Sequence, residues 1–118
     1  MKNRLETELL RKILILAPEH GFRLFRNNIG AYRSEAGHYI KYGLCNPGGS
    51  DLIGWKPRLI TAEDAGKTMA IFTAVEVKAP GGRVTVEQRQ FLAVVEKSGG
   101  IASEVYSLGE ADMLFRSK

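Results

Sequence analysis

Glu76 and Lys78 stand two residues apart in the run AVEVK, and Asp51 opens the earlier run DLIGW. In a β-strand alternate side chains share a face, so Glu76 and Lys78 project together while Val75 and Val77 project from the other side. A charged pair near the middle of a sheet must be paired, partly solvated or bound to an ion, because stranded buried charge is expensive. Taken alone, Glu-x-Lys is answered most simply by a cross-strand salt bridge or by an edge strand with one wet face. Asp51 changes that balance. It follows the flexible PGGS turn, and its strand can return through the 57–67 connection as a hairpin-like neighbour of residues 70–78. Two acids and a lysine then converge at adjacent strand ends. Such a group suits Mg²⁺ or Mn²⁺, which take carboxylate, carbonyl and water oxygens, with the Val77 main-chain carbonyl as a further ligand. An ion held there acidifies its water, polarises a phosphate and neutralises charge developing in the transition state. Lys78 is then placed to orient or help activate the water.

The elements that must position these groups follow from periodicity. Leu5, Leu9, Leu10, Ile13, Leu14 and Leu16 recur at helical spacing, and Pro18 and Gly21 end the pattern, which predicts an amphipathic helix over 3–17. Glu6 falls one turn before Leu10, on or beside the apolar stripe, whereas Glu8 points toward Lys12 and solvent. Glu6 is also an acid of the kind a helix dipole favours in the first turn. FRLFR and HYIKYG read as short strands around turns at Gly30 and Gly37, and SDLIGW as a third, entered through NPGGS. KPRLI suggests a short strand, TAEDAGKT a turn or single helical turn, and TMAIFTAVEVK the longest strand. Thr85 then caps a helix whose apolar face is Phe91, Leu92, Val94 and Val95 and whose stop is Gly99-Gly100. IASEVYS is a strand and LGEADMLFRS a closing helix. The order α-β-β-β-α-β-α, without repeat or linker, predicts an α/β domain with a mixed sheet flanked by helices.

At 118 residues the chain is expected to form one domain, 1–118, and no apolar run approaches the ~18 residues that a membrane span needs. The opening MKNRLETELLRK lacks the uninterrupted apolar core of a signal peptide. Cys45 is alone, and with only His20 and His38 beside it there is no zinc-ligand spacing, so a reducing cytoplasmic setting is expected. Neither histidine has the companions of a catalytic centre. The net charge of +4 and a pI near 9.4 bias the chain toward polyanions. PGGR at 80–83 is too short for a phosphate loop, so no nucleotide cofactor is expected, although Arg83 at the helix entrance is placed to touch a DNA phosphate. Arg23, Arg26, Arg33, Lys41, Lys56 and Arg58 are interleaved with Tyr32, Tyr39, Tyr42 and Trp55, a mixture that suits phosphate contact plus stacking at an unpaired or branched nucleotide. Tyr39 and Trp55 read equally as packing residues.

Asp51, then Glu76-Val77-Lys78, then Thr85-x-x-Gln88-x-x-Phe91, together with RNNIG at 26–30, GGSDLIG at 48–54 and GGIASEVYS at 99–107, resembles the virus-type replication-repair nuclease (VRR-NUC) family of the PD-(D/E)XK superfamily. The resemblance covers nearly the whole chain, as in small stand-alone phage and bacterial members. It implies a restriction-endonuclease-like core, metal ligation by Asp51, Glu76 and the Val77 carbonyl, and Lys78 as the catalytic lysine. It also implies that Gln88 helps position the water or the lysine, and that the first helix supplies a further acid, matched by Glu6 with Glu8 as the alternative. The superfamily's Pro-Asp is Ser50-Asp51 here, a departure that leaves the chemistry intact. The activity implied is an Mg²⁺- or Mn²⁺-dependent endodeoxyribonuclease, acting as a homodimer on branched DNA, four-way (Holliday) junctions first and flaps or replication forks as the alternative. The setting implied is DNA repair in the cytoplasm of a bacterial cell or a phage-infected host. Two classes compete. A non-catalytic nucleic-acid-binding module would have no use for Asp51, Glu76, Lys78 and Gln88 together, and a small restriction endonuclease would need a base-reading element that is not apparent.

Overall fold

In the computed structural model, which describes residues 3–118, Asn3 opens the first helix: its side chain accepts from the Glu6 backbone N–H at 2.9 Å, satisfying one of the orphan donors of a helix start. The helix α1 runs Arg4–Leu16 and continues into a 3₁₀ turn, Ala17–His20, closed by Gly21 in the left-handed conformation. Its stripe buries Leu10, with Ala17 buried at its end.

Strands β1 (Arg23–Arg26), β2 (Gly30–Arg33), β3 (Tyr39–Tyr42) and β4 (Leu52–Trp55) follow. They form two antiparallel ladders: β1 with β4, where Leu24 faces Gly54, and β2 with β3, where Tyr32 faces Ile40. Two expectations are corrected here. Gly30 does not make a turn; it begins the unforeseen strand β2, and the Tyr42 ring of the facing strand lies over it where a Cβ would sit. And β4 takes β1 as its ladder partner instead of the 70–78 segment. Pairing of distant segments is set by tertiary context that local composition does not encode.

After the 3₁₀ turn Ala62–Asp64 come β5 (Thr73–Val77), α2 (Val86–Lys97), β6 (Ile101–Val105) and α3 (Leu108–Arg116). KPRLI forms no strand, and the long β-like run contracts to five residues. Strands β5 and β6 are parallel, and the connection between them is the helical crossover that parallel neighbours require. Thr85 and Gln88 form a reciprocal capping box at the start of α2: the Gln88 N–H donates to Thr85 Oγ1 at 3.1 Å and the Thr85 N–H to Gln88 Oε1 at 3.0 Å. α2 packs on both strands and α3 on β6. Val95 and Val105 are the buried centre of this arrangement.

Among the described residues the expected single mixed sheet is therefore three two-stranded ladders, two antiparallel and one parallel, with three α-helices. The chain divides into two compact units at the Lys56–Pro57 boundary: α1 and β1–β4 in the first, β5, α2, β6 and α3 in the second. No helix among the described residues is long and apolar enough to cross a membrane.

Candidate functional site

Strand parity places Glu76 and Lys78 together, and the structure agrees: the Lys78 Nζ lies 3.9 Å from Glu76 Oε2. Both side chains are half-buried, at 28% and 22% exposure. That separation is too long for a hydrogen bond, so the pair is an ionic contact with room for a third group. The ladder continues one residue past the strand, with the Lys78 N–H donating to the Val105 carbonyl at 3.0 Å, which fixes the backbone from which Lys78 projects. The opposite face is more open than a core strand predicts. Val77, the last residue of β5, is 71% exposed.

Gln88 reaches the same place from α2. With Glu76, Ala74, Val75, Glu87, Phe91 and Leu92 it lines a cleft of about 410 Å³. Its carbonyl oxygen is committed to the capping box, which holds the amide in position and leaves its NH₂ as the group that can donate into the cleft. One residue thus has a structural reason and a chemical use.

Glu104 was not singled out by sequence reasoning. It is the Cα partner of Glu76 across the β5–β6 ladder. Residues in register on neighbouring strands share a face, so two carboxylates stand side by side, an arrangement that is unfavourable unless cations attend it. Lys78 attends Glu76, while Arg89 Nη1 lies 3.9 Å from Glu104 Oε1 and the Tyr106 hydroxyl donates to Glu104 Oε2 at 3.3 Å. Burial, then the charge and hydrogen bond of Glu104, hold the Tyr106 phenol above its usual range, so it stays protonated and remains a donor. The signal was present: Ala102, Glu104 and Tyr106 alternate on one face of the strand IASEVYS.

In the other unit, Asp51 ends a loop held by asparagines. The Asn27 Nδ2 donates to the carbonyls of Leu44 at 3.0 Å and Ser50 at 3.1 Å, and its Oδ1 accepts from the Leu44 N–H at 2.8 Å. The Asn27 backbone N–H donates to the Asp51 carbonyl at 2.8 Å. Asn46 adds bonds to the carbonyls of Gly30 at 2.7 Å and Tyr42 at 2.9 Å. A glycine is required within this loop, since a Cβ at Gly49 would collide with the Leu44 carbonyl oxygen. Asp51 lines a cleft of about 570 Å³ with Leu10, Arg26, Asn27, Asn28, Ile29 and Tyr42. Glu6 is exposed on α1 one turn before Leu10, whereas Glu8 is drawn to Arg4 at 3.2 Å. Arg33 and Lys41 lie on β2 and β3, and Arg83 is exposed before the cap of α2. Among the described residues, no three His, Cys, Asp or Glu side chains are grouped as they would be around a metal ion.

No curated protein and no solved structure matches the chain. The family model for the VRR-NUC domain matches residues 6–108, a span that takes in most of α1, the strands β1–β6 and α2 and so runs through both units. A nuclease acting on DNA is what that match suggests. The chain belongs to the VRR-NUC domain family.

Proposed function

We propose that the protein is a divalent-metal-dependent endonuclease that cuts branched DNA, four-way junctions above all, as a homodimer whose two centres cut two strands. The observation that carries the reading is the half-buried Glu76–Lys78 pair at the end of β5, with Gln88 lining the cleft that Glu76 enters, inside a VRR-NUC match over 6–108. Nuclease domains of this kind usually depend on a divalent metal. The donor chemistry of the chain fits one: half-buried Glu76 stands in register with Glu104, and such a carboxylate pair favours a hard, oxygen-seeking cation. Asp51, Glu76 and the Val77 carbonyl are the ligands that the family's ordered motif assigns in sequence. The ion, when bound, supplies Lewis acidity toward the phosphate and its water. Lys78 holds a positive charge where the phosphate gains negative charge, Gln88 donates from its amide to orient the attacking water, and Glu6 is the additional acid from α1. Arg26, Arg33, Lys41 and Arg83 contact the DNA backbone, which steers and holds the substrate without reading bases.

The test is a panel of labelled four-way junctions, flaps, forks and plain duplex, each with Mg²⁺, Mn²⁺ or EDTA. Metal-dependent cutting of junctions ahead of duplex supports the reading. Cutting of flaps alone moves the substrate to forks, and binding without cutting in any metal identifies a non-catalytic module. Light scattering that shows only monomer at working concentration removes the paired-cut part.

A further inference from the structure

The ribbon β2–β3 is a separate two-stranded sheet with two chemically distinct faces. Register and parity place Tyr32, Ile40 and Tyr42 on one face and Arg33, Tyr39 and Lys41 on the other. Contacts agree with that division: the Tyr32 and Tyr42 rings are 6.5 Å apart, and the Arg33 guanidinium lies 4.9 Å over the Tyr39 ring. An antiparallel sheet ordinarily hides one face. Here both are open, with Tyr32 54%, Tyr42 48% and Tyr39 71% exposed. The strands carry two cations and no acid, so a second copy of the same ribbon would meet it with like charge, whereas a polyanion would be attracted. Tyrosine offers what stacking needs, a flat π face with a wet edge. The aromatic face also continues into the Asp51 cleft, because Tyr42 lines that cleft together with Arg26.

We infer that the β2–β3 ribbon and the Asp51 cleft form one track for an unpaired DNA strand. Bases stack on Tyr32 and Tyr42, and Arg26, which lines the cleft beside Tyr42, takes the phosphate that enters it, while Arg33 and Lys41 on the opposite face add long-range attraction. The identity of the polymer as DNA rests on the nuclease reading; the stacking surface does not. Such a track gives a selective grip on branched substrates, because stacked duplex offers no base face to a tyrosine.

The experiment is fluorescence anisotropy in EDTA with a labelled single strand, a fork with unpaired arms and the matching duplex. Wild type is expected to bind single strand and fork at least tenfold more tightly than duplex. Replacing both Tyr32 and Tyr42 by Ala should weaken single-strand binding by roughly 30-fold or more, as loss of two stacked bases does, while the Phe pair, which keeps the rings, stays within about twofold. Arg26→Gln should flatten the plot of log affinity against log salt by about 0.7, the single-strand value for one phosphate contact. Circular dichroism matching wild type qualifies each variant, and the Phe pair keeps the test valid should the Ala pair fail to fold. Equal affinity for duplex and single strand overturns the inference, as does single-strand binding indifferent to the tyrosines. So does a tyrosine effect that appears only as loss of self-association in light scattering. Binding through the tyrosines by a protein that cuts nothing leaves the track standing and retires the nuclease reading. Cutting with tyrosine-independent binding does the reverse.

Discussion

Replacing Asn27 by alanine removes three side-chain hydrogen bonds, to the Leu44 carbonyl, the Leu44 N–H and the Ser50 carbonyl. Each is worth about 0.5–1.5 kcal/mol net, and since these lie near water the lower part of that range applies, for about 1.5–3 kcal/mol in all. At roughly 4–5 °C per kcal/mol for a chain of this length, the thermal midpoint should fall by about 6–15 °C. The loop that these bonds close leads straight into Asp51, so the mutation also frees the carboxylate from its fixed origin. A misplacement of about 1 Å can cost on the order of a hundredfold in rate, and a clear loss of cleavage at saturating DNA is therefore expected. Asn27→Asp is the sharper comparison. It keeps the acceptor for the Leu44 N–H but turns the donor into an oxygen facing two carbonyls, so it should be at least as destabilised as the alanine variant. Differential scanning fluorimetry and single-turnover cleavage measure the two effects. An alanine variant that melts within about a degree of wild type and cuts normally would refute the claim that Asn27 organises the Asp51 loop.

Other predictions concern the second unit. Tyr106 has a raised native pKa, so its contribution to stability is complete below the unfolded phenol's value, about 10, and is lost as pH rises from there toward the native value, because the unfolded chain releases its proton first. Absorbance titration should show one of the four tyrosines ionising late, and Tyr106→Phe should remove that late step; removal of a step at or below about pH 10 contradicts the assignment. Val95→Ala should cost about 2 kcal/mol, from ~0.8 kcal/mol for each CH₂ group lost plus a cavity term, read by denaturant unfolding, and a loss under about half that would show that the centre lies elsewhere. The buried Asp64 carboxylate accepts from the Thr61 N–H at 3.0 Å, pairs with Arg58 and lies 3.6 Å from Lys67. Asp64→Ala should cost about 1–3 kcal/mol and open tryptic sites at Arg58 and Lys67; an unchanged digestion pattern would show that the 3₁₀ turn stands without it.

Local physics explains which parts could be read in advance. Helices α1 and α2 were readable because apolar spacing, the Pro18 and Gly21 stop after α1 and the Thr85 cap before α2 are all local signals. Strand β2 was hidden because Gly30 is a poor strand former that also serves as a turn residue, and what holds it in the ladder is the Tyr42 ring twelve residues away. KPRLI has strand-like composition but no partner among the ladders, so composition alone misled. At the candidate site, the pairing of Glu76 with Lys78 follows from the two-residue repeat of any strand, and Gln88 meets Glu76 in one cleft. Glu104 required knowledge of the β5–β6 register, and Asn27 required knowledge of a loop closed across 17 and 23 residues. Long-range pairing is the information that a pattern of residue types does not carry.

The central claim is that Glu76 and Lys78 form a nuclease centre and are not merely a structural ion pair. Its most direct test is the single-turnover rate on a four-way junction in Mg²⁺ and Mn²⁺ for wild type, Glu76→Gln and Lys78→Met, with DNA affinity and melting temperature measured alongside. A loss of at least about a hundredfold is expected in both variants, the scale seen when one transition-state-stabilising group is removed, with DNA binding retained and melting changed by only a few degrees. Cleavage that survives in either variant, or that is lost only in step with folding, would contradict it.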